Sequence, residues 1–138
     1  MIRIYIAGPM SNLPDLNYPS FHAEAARLRA IGFHVENPAE NQQQVDWQSY
    51  MRVAIARLVK CDAVALLPGW ERSRGALIEN GLAVSLGIKA RPCAEFQALT
   101  PDPSCWMCQG TGLDIAHEAC PVCCEITVER LFKSTVDG

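Results

Sequence analysis

Cys61-Asp62-Ala63-Val64-Ala65-Leu66-Leu67-Pro68-Gly69-Trp70-Glu71-Arg72-Ser73-Arg74-Gly75-Ala76-Leu77-Ile78-Glu79 is the stretch that decides how this chain folds. Ala63 to Leu67 is a continuous apolar run closed by Pro68-Gly69, the pattern of a strand buried on both faces. A loop with two glycines follows, and then a helix from about Gly75 to Leu86 that stops at Gly87. The same alternation extends upstream. Ile2, Ile4 and Ile6 alternate with Arg3 and Tyr5 before Gly8-Pro9, which predicts a first strand ending in a turn. Phe21, Ala25, Leu28 and Ile31 then mark a helix, with Ser20 as its N-cap and Gly32 as its stop. A short strand is expected from Phe33 to Glu36. Asp46 caps a second helix with the stripe Trp47, Met51, Ile55 and Leu58, and Ile88 to Ala90 begins a last strand. Strands alternating with helices predict an α/β fold with a parallel sheet and right-handed crossovers. Ligands of such sheets bind beyond the carboxyl ends of the strands, where the strand order reverses. Those ends are Ala7-Gly8-Pro9-Met10 and Leu67-Pro68-Gly69-Trp70, so the chemistry is expected on these two loops.

The chain has 138 residues, enough for one ordinary domain and a small appendage. Apolar residues make up 49% and charged residues 20%, so a sizeable core is available and a disordered chain is excluded. Twelve lysines and arginines against 15 aspartates and glutamates give a net charge of −3, which leaves no general footprint for nucleic acid or an anionic membrane. Arg3 interrupts the N-terminal apolar run, and no stretch approaches the roughly 18 apolar residues of a membrane helix. A cytoplasmic protein is expected. From about Glu95 the periodicity fades, and Thr100 to Ser104 reads as a linker. The chain therefore divides into an α/β domain over residues 1–94 and a tail over 95–138.

Gly69 and Gly75 permit close backbone approach, Ser73 offers a hydroxyl, and the free N–H groups of a helix N-terminus attract an anion such as phosphate. The loop is neither a G-x-x-x-x-G-K-[ST] motif nor accompanied by G-x-G-x-x-G after the first strand, so kinase-like and dinucleotide-binding readings are weak. Glu79 falls about one turn into the helix, beside Ala76, Leu77, Ile78 and Leu82. A carboxylate there can act as a nucleophile or an acid/base at a sugar carbon. Taken alone it is equally an ordinary first-turn glutamate that complements the helix dipole.

Tyr5-Ile6-Ala7-Gly8-Pro9-Met10, Asn17-Tyr18-Pro19 and the stretch Cys61 to Glu79 together resemble the DUF4406 family, over roughly residues 1–92. That family is similar to the nucleoside 2-deoxyribosyltransferases and the 2′-deoxynucleoside 5′-monophosphate N-hydrolases. The resemblance implies a flavodoxin-like, Rossmann-like parallel sheet sandwiched by helices. It also implies an N-glycosidase-type enzyme that hydrolyses or transfers the N-glycosidic bond of a (deoxy)nucleoside 5′-monophosphate. Glu79 matches the nucleophile that attacks the anomeric carbon and displaces the base, and Tyr5 the tyrosine that orients it. Ser73 and Gly75 match positions contacting the 5′-phosphate. Gly8, Pro9, Met10, Asn17, Gly69 and Trp70 complete the implied substrate site. Relatives of this fold often dimerise, so the resemblance also implies a homodimer or higher homo-oligomer.

One departure bears on activity. Many relatives carry an aspartate in the helix before the buried strand, near the leaving base; aligned on Cys61-Asp62, that position is Ala54. Asp46, Asp15 and Glu71 are the substitutes within reach in sequence, and each is also an ordinary cap or loop residue. Asp62 reads as a strand-entry residue. A non-catalytic nucleotide-binding or adaptor protein is the competing reading. A third comes from the cytokinin-activating phosphoribohydrolases, whose P-G-G-x-G-T-x-x-E motif is matched only in part.

Five of the seven cysteines crowd the tail. Cys105-x2-Cys108 and Cys120-x2-Cys123 are two pairs, each able to present two thiolates to one ion, and four thiolates suit zinc. Gly110 and Gly112 resemble the C-x-x-C-x-G-x-G repeat of DnaJ-type zinc modules. A closed four-cysteine shell makes the Zn2+ structural, with Cys124 a spare, and no cofactor is expected for the chemistry. After Arg91 only Arg130 and Lys133 are cationic, against seven acidic residues, which disfavours nucleic acid as a partner of the tail.

Overall fold

The computed structural model describes residues 2–98, 104–113 and 132. The elements run β1 (Arg3–Ala7), α1 (Tyr18–Ile31), β2 (His34–Glu36), α2 (Trp47–Leu58), β3 (Ala63–Leu66), α3 (Arg74–Ser85) and β4 (Lys89–Pro92). The strands form one sheet in the order β2-β1-β3-β4, parallel throughout, with Tyr5 opposite both Glu36 and Val64. The chain thus steps from β1 out to β2, crosses back over β1 to β3, and continues outward. The reversal falls between β1 and β3, and it opens a crevice at their carboxyl ends.

Alternation along β1 sorts the core into two layers. Tyr5 and Ala7 join Val64 and Leu66 of β3, Ala54 and Leu58 of α2, and Ala76 and Ala83 of α3 in one buried cluster. Ile4 and Ile6 point to the other face, where right-handed crossovers bring α1 with its buried Phe21, Ala25 and Leu28. The Arg27 guanidinium on α1 donates to the carbonyls of Cys93 and Phe96, each at 2.8 Å. Phe96 in turn meets Phe33 edge to face. The segment after β4 is thereby tied back to α1.

Local chemistry explains most boundaries. Asp46 caps α2 by accepting from the Ser49 N–H at 2.7 Å, and Gly32 closes α1 at φ 117°, as expected. Two expectations are corrected. Ser20 is not the cap of α1: the helix begins at Tyr18 after Asn17 at φ 58°, and the Asn17 amide is turned away to the Pro9 carbonyl at 2.9 Å. On α2 the inward positions are Met51, Ala54 and Leu58, with Ile55 only half-buried, because an alanine lets the helix pack close to the sheet. Glu79 lies in the second turn of α3, beyond the reach of the dipole at the helix end. Asp62 is the strand-entry residue expected, its carboxylate accepting from the Arg3 N–H at 2.8 Å.

The chain divides into a unit of Met1–Phe96 and one of Gln97–Gly138. In the second unit Cys105 and Cys108 are buried on a tight turn, where the Gln109 N–H donates to the Cys105 carbonyl and the Thr111 N–H to that of Cys108. Gln109 and Gly110 both take positive φ there, 52° and 90°. Cys120, Cys123 and the spare Cys124 lie outside the described residues. Among the described residues no group of three or more His, Cys, Asp or Glu side chains could hold a metal ion. No helix among them is long and apolar enough to cross a membrane.

Candidate functional site

A cleft of about 590 Å³ occupies the crevice at the carboxyl ends of β1 and β3. Gly8, Pro9 and Met10 supply one side of it, Ser73 and Gly75 at the start of α3 another, and Trp47, Tyr50 and Met51 of α2 a third. Tyr5 and Glu79 form its buried end. The crevice can exist because residue 8 has no side chain. A β-carbon on Gly8 would stand 2.8 Å from Cβ of Leu67, in the neighbouring strand-end loop whose N–H donates to the Ala7 carbonyl. Gly8→Ala is expected to force these loops apart at a cost of about 1–3 kcal/mol, read as a lowered urea midpoint with an unchanged slope.

Glu79 is 6% exposed, one of very few buried charged or polar side chains. Removal from water pushes its carboxyl up from 4.5 to about 7, and the Tyr5 hydroxyl beside it partly offsets that rise. Burial, then the nearby Glu79 charge, holds the Tyr5 phenol well above its ordinary range. The two groups are close without being aligned: Tyr5 Oη, together with Asn41 Nδ2 and Oδ1, is a buried polar atom with no hydrogen-bond partner. Each such orphan costs about 1–3 kcal/mol. Tyr50, one turn before Ala54 on α2, points its hydroxyl at the Met10 sulfur (3.3 Å) and the Pro38 carbonyl (3.4 Å). Burial and Glu79 also raise its pKa.

At the opposite pole, Ser73 caps α3 by accepting from the Ala76 N–H at 3.2 Å, which leaves its O–H proton to donate elsewhere. Arg72 and Arg74 flank it on the cleft wall, and the Arg74 guanidinium carbon lies 4.4 Å over the Trp47 ring. Glu79 and Asp46 are the carboxylates lining the cleft among the described residues. Asp46 is committed to its cap, and the Ser49 backbone N–H holds its pKa below the ordinary value. Ala54 is fully buried in the core cluster and offers no side chain to the cleft.

Seven of the residues singled out from sequence come together here: Tyr5, Gly8, Pro9, Met10, Ser73, Gly75 and Glu79. Three others stand behind the walls. Asn17 clamps the Pro9 carbonyl, Gly69 turns the β3 loop at φ 87°, and Trp70 packs against the core cluster. Asn41, Trp47, Tyr50, Met51 and Arg74 also line the cleft without having been assigned to it from sequence. Trp47, Tyr50 and Met51 sit at helical spacing above the small Ala54. Bulky residues over a small one on a single helix face are the one sequence signal that this helix end borders a cavity.

The model of a family described as Domain of unknown function (DUF4406) matches residues 2–91. No curated protein matches the chain. Among solved structures the fold is similar to a 2-desoxiribosyltransferase from Leishmania mexicana, at 19% identity and a TM-score of 0.56, over 99% of this chain and 98% of that one.

Proposed function

The chain belongs to the DUF4406 family, and from that premise we propose that it is an N-glycosidase-type enzyme acting on a (deoxy)nucleoside 5′-monophosphate, by hydrolysis or transfer. The observation that carries the reading is a buried carboxyl at the closed end of the crevice, Glu79 against Tyr5, facing a pole built for an anion. In this reading the 5′-phosphate meets the Ser73 hydroxyl and the N–H groups opening α3, which sets C1′ against Glu79. A Glu79 carboxylate oxygen attacks C1′, the C1′–N bond breaks, and the base leaves with the bonding electrons and takes a proton from solvent. The glycosyl ester is then opened by water, giving the free sugar phosphate, or by a second base, giving exchange. Tyr5 is the positioning group, its hydroxyl buried beside the carboxyl it must hold. The name of the Leishmania structure, a transferase of 2-deoxyribosyl groups, agrees with this class of chemistry.

The pH dependence tests the reading. Glu79 must be ionised to attack, and burial holds it protonated up to about pH 7. Release of base is therefore expected to rise with pH through about 7 in kcat/KM and to level above it, because the groups nearest the carboxyl, Tyr5 and Tyr50, stay protonated. A profile flat from pH 5 to 9 would count against Glu79. The burial of Ala54 favours a second reading, nucleotide binding without turnover, since α2 gives the leaving base no carboxylic acid. Calorimetric binding of nucleotide with no base released over long incubation would establish that alternative.

The proposal includes a structural zinc ion held by Cys105, Cys108, Cys120 and Cys123. In support, the turn at Cys105 and Cys108 brings both residues into a buried position. Freshly purified reduced protein is expected to carry about one zinc per chain by metal analysis. Metal-free protein would remove the ion from the account.

A further inference from the structure

The three orphaned polar atoms of the described residues belong to two side chains, Tyr5 and Asn41, and both border the same cleft. Tyr5 is accounted for by Glu79. Asn41 is not, and both ends of its amide lack a partner. Its neighbourhood does satisfy amides where structure needs them. Asn37, four residues earlier, accepts from the Ala39 N–H at 3.0 Å and reaches His22 Nδ1 at 3.2 Å. The backbone of Asn41 is itself fixed, its N–H donating to the Pro38 carbonyl at 3.1 Å, so the side chain is held in place on a short 3-10 turn that follows β2. Core packing gives no reason to keep such an amide, since a leucine of similar size would fill the space without an unmet donor and acceptor.

We infer that Asn41 is a specificity-determining residue, whose amide reads an adjacent donor and acceptor on the edge of the ligand's base. This rests on the N-glycosidase reading. With phosphate at Ser73 and C1′ at Glu79, Asn41 is the residue among the amides lining the cleft whose side-chain amide is both buried and unpartnered among the described residues. A side-chain amide offers one donor and one acceptor side by side, the complement of a nucleobase edge. A sugar phosphate without a base has nothing for it to pair with.

The test uses the full chain carrying Glu79→Gln, so that binding is read without turnover, and compares it with the same protein carrying Asn41→Leu or Asn41→Asp. The probes are the four 2′-deoxynucleoside 5′-monophosphates and 2-deoxyribose 5-phosphate, titrated calorimetrically. Asn41→Leu is expected to weaken the tightest-binding nucleotide by about tenfold or more while leaving 2-deoxyribose 5-phosphate unchanged. Asn41→Asp, which replaces the donor with a second acceptor, is expected to reorder the four bases. Equal nucleotide affinity in the parent and Asn41→Leu proteins overturns the assignment, as does an equal loss for nucleotide and sugar phosphate, which marks a structural role. Absence of nucleotide binding in the parent protein overturns the N-glycosidase reading itself, and the inference with it.

Discussion

Glu79→Gln is expected to slow base release at least about 1,000-fold and, above pH 7, to make the protein more stable than the wild type. The first effect follows from removing the nucleophile while keeping its size and one of its oxygens. The second follows from linkage. Burial raises the Glu79 carboxyl from 4.5 to about 7, so the folded chain holds that proton more tightly than the unfolded chain does. A raised carboxyl contributes stability that is complete below about pH 4.5 and is lost as pH rises through about 7, where the folded state must bury a charge. With Glu79 6% exposed, the loss amounts to about 3 kcal/mol once both states are ionised. Glutamine carries no such proton, so its stability does not fall over that window. Urea denaturation of both proteins at pH 5 and pH 8 checks this: the two curves should separate at pH 8 far more than at pH 5. Parallel behaviour at both values would mean that Glu79 titrates as an ordinary surface carboxylate, and the nucleophile assignment would lose its electrostatic basis.

Ala54→Asp is expected to cost about 3–5 kcal/mol and to gain no activity. Restoring a carboxylate at the aligned position is the obvious repair, yet Ala54 is fully buried among Leu58, Val64 and Ala76, whose side chains carry neither a cation nor a donor, and the Tyr5 hydroxyl of the same cluster lies beside Glu79. The new carboxyl would be buried unpaired, and the damage would grow with pH as it ionises. Alanine is thus a packing choice that lets α2 lie close against the sheet. A variant with wild-type stability and faster base release would instead show that this side chain reaches the leaving group.

The parallel α/β architecture and the loops at the closed end of the site were legible because they depend on patterns that are local in sequence. Alternation at Ile4, Tyr5 and Ile6, the apolar run at Ala63 to Leu66 and the Gly-rich loop into α3 each dictate their own element, and right-handed crossovers assemble them. Glu79 stood out through its loop and its place about one turn into the helix, though the depth of its burial had to come from three dimensions. Asn41 and Tyr50 were illegible for the opposite reason. Each is an ordinary polar or aromatic residue on a segment with a satisfactory local role, and each acquires meaning only when the crossover from β2 swings it to the mouth of β1. Asn17 shows the other side of the same limit, a residue whose place in the loop, and not its residue type, decides what it touches. Its motif is short and polar, but its amide closes the loop behind Pro9.

Among the described residues β4 ends the sheet, and it reads Lys89-Ala90-Arg91-Pro92, a composition unlike that of β1 and β3. Proline brings no N–H to a ladder, and lysine discourages the pairing of a further strand. A strand so composed is a poor template for a strand of another chain, which discourages edge-to-edge assembly in a crowded solution. The cost is small, because β4 borrows its order from β3 and needs little apolar content of its own. Mutational drift toward valine or isoleucine at Lys89 would leave the cleft intact and favour aggregation of the chain, a failure that no assay of the site would reveal.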